Sequence, residues 1–136
     1  MFCSKYNLKK GDVVAIFMEN KPEYIGLWFG LSKLGVISAL INSNLRNRVL
    51  IHSIEIAKPK VLIYASELTE AIDQVKNDIS QQFDYVYQGN ASNNPIGDKL
   101  EDLLENVTDV CTSQEKVYGH DILMFIYTSG TTGLPK

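Results

Sequence analysis

The sequence predicts an α/β fold, a mostly parallel sheet with flanking helices, and three observations carry that reading. Short apolar, β-branched runs recur along the chain. Stretches with helical spacing of apolar residues separate them. A Gly/Thr-rich loop follows the last apolar run, where ligands of such sheets bind, beyond the carboxyl ends of the strands.

The elements follow in order. Asp12 to Met18 is a nearly continuous apolar run, as a strand covered on both faces requires. Asn20 is a candidate cap for the next helix and Pro22 fits its first turn. That helix is predicted to reach about Leu34 and to stop at Gly35. Val36 to Ile41 is the second strand. Asn42-Ser43-Asn44 is a polar turn that can cap a helix from Leu45 to Ala57, stopped by Pro59. Lys60 to Tyr64 is the third strand, and Ser66 is placed as the cap of a helix from Glu67 to Ile79. Phe83 to Tyr87 is the fourth strand. A polar loop over 88–97 precedes a short helix, Asp98 to Glu105, with Leu100, Leu103 and Leu104 on its buried side. Ile122 to Tyr127 is the last strand.

Composition narrows the function classes. With 136 residues, 45% of them hydrophobic and 21% charged, the chain is long enough and apolar enough to build one core. A net charge of −3, spread along the chain, gives no footprint for nucleic acid and no polybasic segment for an anionic membrane. Cys3 and Cys111 lack metal-ligand spacing and read as free thiols. The sequons at Asn90 and Asn106 are expected to be unused. Met1 to Tyr6 lacks the apolar core of a signal peptide. The stretch nearest to a membrane span is Tyr24 to Ile41, and Gly26 and Gly30 have the spacing of a membrane-helix dimer motif. Ser32, Lys33 and Gly35 break it, so it reads as a buried helix followed by a buried strand.

The chemistry concentrates in Tyr127-Thr128-Ser129-Gly130-Thr131-Thr132-Gly133-Leu134-Pro135-Lys136. Thr128, Ser129, Thr131 and Thr132 put four hydroxyls within five residues. Gly130 and Gly133 let the backbone approach a ligand closely, and successive amides in such a turn can aim at one anion. Lys136 adds a cation. This set suits a triphosphate or pyrophosphate. It is not a Walker A loop, because counting from Gly130 the sixth position is Pro135 where that motif needs glycine. Nor is it the Gly-x-Gly-x-x-Gly of dinucleotide sites.

The string Tyr127 to Lys136 resembles the signature phosphate loop of the adenylate-forming superfamily, whose members include acyl-CoA synthetases, luciferases and the adenylation domains of peptide synthetases. Gly11 to Asn20, Pro22-Glu23-Tyr24, Leu27 to Gly35 and Ala39-Leu40-Ile41-Asn42-Ser43-Asn44-Leu45-Arg46 are similar to one subgroup, the fatty acid transport proteins or very-long-chain acyl-CoA synthetases. The Ala39–Arg46 stretch is the most telling, since other branches usually carry Asn-Pro there. The resemblance is strongest over 8–64 and 122–136, and 66–120 is generic.

The resemblance implies that residues 1–136 are part of an AMP-binding N-terminal domain, truncated at both ends. It implies a two-step ligase. A long- or very-long-chain fatty acid attacks the α-phosphate of ATP, and coenzyme A then displaces AMP from the acyl-adenylate. Thr128, Ser129, Gly130, Thr131, Thr132, Gly133 and Lys136 would hold the β- and γ-phosphates, with Mg²⁺ required and Lys136 a mobile charge. No catalytic residue and no metal ligand is assigned. The family's Tyr-Gly-x-Thr-Glu motif, ribose-binding Asp, small C-terminal domain with its catalytic Lys, and the subgroup's membrane-anchoring segment are not in this sequence. The subgroup implies an endoplasmic reticulum or plasma membrane location with the site facing the cytosol. Two alternatives remain: a non-catalytic transport or regulatory remnant, and another AMP-forming carboxylate ligase.

Other residues read more plainly. His52 is a structural histidine before it is a base. Trp28 and Phe29 read as core packing, with a lipid-tunnel role as the sharper alternative. Asn42, Asn44 and Arg46 read as capping residues with a substrate-side alternative. Glu67, Glu70, Asp73 and Asp78 read as a solvated helix face.

Overall fold

A computed structural model describes residues 2–90, 94–105, 115–128 and 135. Ser129, Gly130, Thr131, Thr132, Gly133 and Lys136 lie outside the described residues, as do Cys111, the side chain of Cys3 and the two sequons beyond Asn90.

Helix α1 (Phe2–Lys5) precedes β1 (Val13–Phe17), α2 (Pro22–Ser32), β2 (Ile37–Ile41), α3 (Asn47–Ala57) and β3 (Val61–Ala65). A 3₁₀ turn, Ser66–Leu68, leads into α4 (Thr69–Val75), then β4 (Asp84–Gln88), β5 (Asp98–Lys99), α5 (Leu100–Glu105) and β6 (Met124–Ile126). The sheet order is β5-β4-β3-β1-β2-β6, and every described pair is parallel. In register, Val14 lies between Ser38 and Val61.

The central strands are apolar on both faces because helices cover both. Val14 to Phe17 and Val61 to Tyr64 have no exposed surface. The chain steps one way from β1 to β2 and the other way from β2 across β1 to β3, then onward to β4. Right-handed crossovers therefore put α2 on one face and α3 and α4 on the other. Accordingly, α3 and α4 lie against each other. Leu50 and Ile54 of α3 and Ile72 of α4 are fully buried.

Helix boundaries depart from the expected caps. Lys21, not Asn20, is the N-cap of α2, and no side chain caps it; Pro22 does occupy the first turn. Arg46 is the N-cap of α3, again with no side-chain bond. Ser66 starts a 3₁₀ turn rather than capping a helix to Ile79, and Thr69 Oγ1 donates to its carbonyl at 2.7 Å. Gly35 ends the turn after α2 as expected. Its φ of +69° suits glycine, and a Cβ there would meet the Lys10 side chain at 2.8 Å.

Three expectations of burial fail. Helix α2, expected to be buried, has Leu31 as its buried residue and is otherwise half-buried or exposed. Phe29 is 56% exposed, stacked on the partly buried Trp28 at 5.1 Å, and Leu104 is 51% exposed. The expected Asp98–Glu105 helix is shorter, because Asp98 and Lys99 pair with Val86 and Tyr87 as a strand. Asp98 is held there by the Tyr6 hydroxyl at 2.6 Å and Lys5 at 2.7 Å. Glu67, Glu70, Asp73 and Asp78 do form an exposed face. Among the described residues no helix is long and apolar enough to cross a membrane; α2 spans 11 residues and a strand follows it.

Candidate functional site

The carboxyl ends of β1, β2 and β6 open onto one cleft of about 630 Å³. Parallel pairing of β6 with β2, Leu40 opposite Ile126, brings Tyr127 and Thr128 out at that edge. Met18, Glu19 and Asn20 leave β1 there, Tyr24 reaches in from α2, and Asn42, Ser43 and Asn44 leave β2. Among the described residues that line the cleft, Glu19 is the charged one, and none of them is a cation.

The β2 exit is braced by its own polar atoms. The Asn44 amide donates to Asn42 Oδ1 at 2.9 Å, and the Arg46 guanidinium donates to the carbonyls of Ser43 and Leu45 at 2.6 and 2.7 Å. Asn42 and Asn44 therefore shape a turn at the cleft rim instead of capping α3. Burial pushes the Tyr24 phenol above its ordinary value.

Helix α3 contacts both Tyr127 and Pro135. The Tyr127 hydroxyl donates to the Ser53 carbonyl at 2.7 Å. Burial pushes this phenol up to about 12, so it remains a donor at neutral pH. His52 Nε2 lies 2.9 Å from the Pro135 carbonyl oxygen. A carbonyl only accepts, so His52 carries its proton on Nε2 in this contact. Thr128 is exposed beyond the strand end.

Of the residues the sequence singled out for phosphate binding, Thr128 is therefore placed at the cleft edge. Ser129, Gly130, Thr131, Thr132, Gly133 and Lys136 lie outside the described residues. The role of α3 was not foreseen. Its contacts join residues 74 and 83 positions apart, and no local pattern signals them. No group of three or more His, Cys, Asp or Glu side chains placed to hold a metal occurs among the described residues.

Comparison with known proteins agrees with this geometry. The family model for AMP-binding enzymes matches residues 4–136. Long-chain fatty acid transport protein 1 of Bos taurus is 39% identical over 130 residues, covering 93% of this chain and 20% of that protein. The very long-chain fatty acid transport protein of Saccharomyces cerevisiae is 31% identical over 136 residues, covering 96% and 20%. This chain thus spans about a fifth of the length of these relatives. The crystal structure of an anthranilate-CoA ligase in complex with anthranoyl-AMP superposes with a TM-score of 0.85 at 22% identity, over 97% of this chain and 25% of that one. That likeness establishes the fold, a parallel sheet with flanking helices of the kind found in N-terminal domains of adenylate-forming enzymes. A parallel sheet with a cleft at its carboxyl edge, and a family match over nearly its whole length, make this chain a member of the AMP-binding enzyme family.

Proposed function

We propose that this chain is part of the N-terminal domain of a fatty acid–CoA ligase acting on long- or very-long-chain acids and linked to fatty acid uptake. The carrying observation is the Tyr127–Lys136 string, whose first residues, Tyr127 and Thr128, follow β6 at the carboxyl edge of the sheet, with Tyr127 lining the cleft. The similarity to fatty acid transport proteins supports the acid as substrate class.

In this reading an acid carboxylate oxygen attacks the α-phosphorus of ATP, and pyrophosphate leaves. The thiol of coenzyme A then attacks the acyl carbon, and AMP leaves. Thr128, Ser129, Thr131 and Thr132 donate hydroxyls, Gly130 and Gly133 open the backbone, and Lys136 neutralises charge on the β- and γ-phosphates. Restraint of the leaving pyrophosphate is the work this segment does, through positioning and electrostatics. Mg²⁺ when bound would shield charge on the same phosphates. Membrane association at the endoplasmic reticulum or plasma membrane belongs to this reading through the similarity to fatty acid transport proteins.

The test uses radiolabelled palmitate and a very-long-chain acid with ATP and coenzyme A. A protein extended to the length of the relatives is expected to form AMP and acyl-CoA. The 136-residue chain alone is expected to form neither. Absence of acid-dependent AMP release from the extended protein would overturn the ligase reading, and thioester formation by the chain alone would overturn the division of labour.

A further inference from the structure

We propose that His52 is a positioning residue for the nucleotide phosphates, holding the far end of the phosphate loop through an Nε2–H···O=C bond to Pro135. This rests on the reading of residues 128–136 as a phosphate loop. The argument begins with α3, whose Leu50, Ser53 and Ile54 have no exposed surface and whose Ser53 Oγ is turned onto the Val49 carbonyl at 2.9 Å. The helix is thus a rigid platform. Two consecutive residues on it reach the segment from opposite ends. Ser53 accepts the Tyr127 hydroxyl at 2.7 Å, and His52 meets the Pro135 carbonyl at 2.9 Å.

Pro135 makes the second contact consequential. It has no amide hydrogen, so its carbonyl is its one backbone group able to hydrogen-bond. The planar peptide unit that carries this carbonyl also carries the bond to Lys136. A bond to the oxygen therefore restrains the plane in which the chain continues to its cation. With Tyr127 and Pro135 both tied to one helix, less conformational freedom at these two positions has to be lost when phosphate binds. Loss of the His52 contact should therefore weaken nucleotide capture while leaving the acid's own contacts alone.

Two measurements test this. In the extended ligase, His52→Phe keeps a planar ring and removes the donor, whereas His52→Gln keeps an amide donor near the Nε2 position. His52→Phe is expected to raise KM for MgATP about fivefold, the size of one net hydrogen bond, with KM for the fatty acid unchanged. His52→Gln is expected to restore most of that loss. A His52→Phe enzyme with the parent KM for MgATP would overturn the proposal, as would a His52→Gln enzyme as impaired as it. The second measurement needs no activity. The chain has two histidines, His52 and His120, so ¹⁵N-histidine labelling of the 136-residue chain gives two ring spin systems, and His52→Gln assigns them. The Nε2–H tautomer at His52 is expected, and the Nδ1–H tautomer there would sink the contact. An extended protein without ligase activity but with the Nε2–H tautomer would count against the ligase reading and leave the His52 contact standing.

Discussion

At the scale of single residues, what was legible was what is local. The Tyr127–Lys136 string announces its chemistry because hydroxyls, glycines and a lysine lie side by side. Tyr127 itself read as the end of a strand and the start of that string, yet its hydroxyl reaches across to α3. Such a contact is set by the fold and leaves no mark in the neighbouring sequence. Asn42 and Asn44 were recognised as turn residues, but as helix caps rather than as the brace of the cleft rim. A short polar side chain can serve either geometry, and only the path of the chain after β2 decides between them. The Tyr127 bond gives a direct test. Tyr127→Phe removes the donor and keeps the ring packed, so it should cost about 1 kcal/mol of stability. Urea denaturation followed by circular dichroism measures it, and an unchanged midpoint would mean that the Tyr127–Ser53 bond contributes nothing net.

At the scale of elements, period and breakers served well. The apolar runs became the central strands, and Gly35 and Pro59 bound α2 and α3 as read. The boundaries failed where side-chain caps were expected, because the chain used backbone turns and a 3₁₀ segment instead. β5 was missed because a two-residue strand has no period to detect; its place is set by pairing with β4 and by the Tyr6 and Lys5 contacts to Asp98. Phe29 was misplaced since α2 is apolar on every side, leaving no pattern to say which face is covered. The end of α3 offers a prediction. Lys58 sits at its C-cap with φ 50° and ψ 54°, a left-handed conformation in which a Cβ is unfavourable. Its side chain is exposed. Lys58→Gly should therefore stabilise the fold by roughly 0.5–1 kcal/mol, the strain relieved exceeding the added freedom of the unfolded chain. A lower thermal midpoint for this variant would show that the lysine contributes more than its backbone strain removes.

At the scale of the whole molecule, alternation of strand and helix predicted a parallel sheet, but not the order β5-β4-β3-β1-β2-β6. Order depends on which crossovers return across β1, and apolar runs of equal length carry no address. What binds distant segments at the surface is a set of carboxylates, and they share one direction of pH response. The hydrogen bonds from Lys5 and then Tyr6 hold Asp98 below its ordinary value. Lys10 and the Tyr118 amide do so for Asp121, and the Ser80 hydroxyl and amide for Glu55. These groups join α1 to β5, the turn before β1 to the turn before β6, and α3 to the segment after α4. Each folded value lies below the unfolded one, near 3.8 for Asp and 4.5 for Glu. The unfolded chain therefore binds more protons in that window, and stability rises with pH through it. The stabilisation is present in full above the unfolded values and is lost as pH falls through the depressed folded ones. The groups are exposed enough for solvent to screen each of them, so the loss is gradual and falls with added salt. The urea midpoint is expected to be flat from neutral pH down to about 5 and to decline below about 4.5. Asp98→Asn should shallow that decline, because its share no longer titrates. A decline of unchanged slope in Asp98→Asn would show that the α1–β5 link does not contribute to acid sensitivity, and would place the acid response on the other depressed carboxylates, Asp121, Glu55 and Glu67.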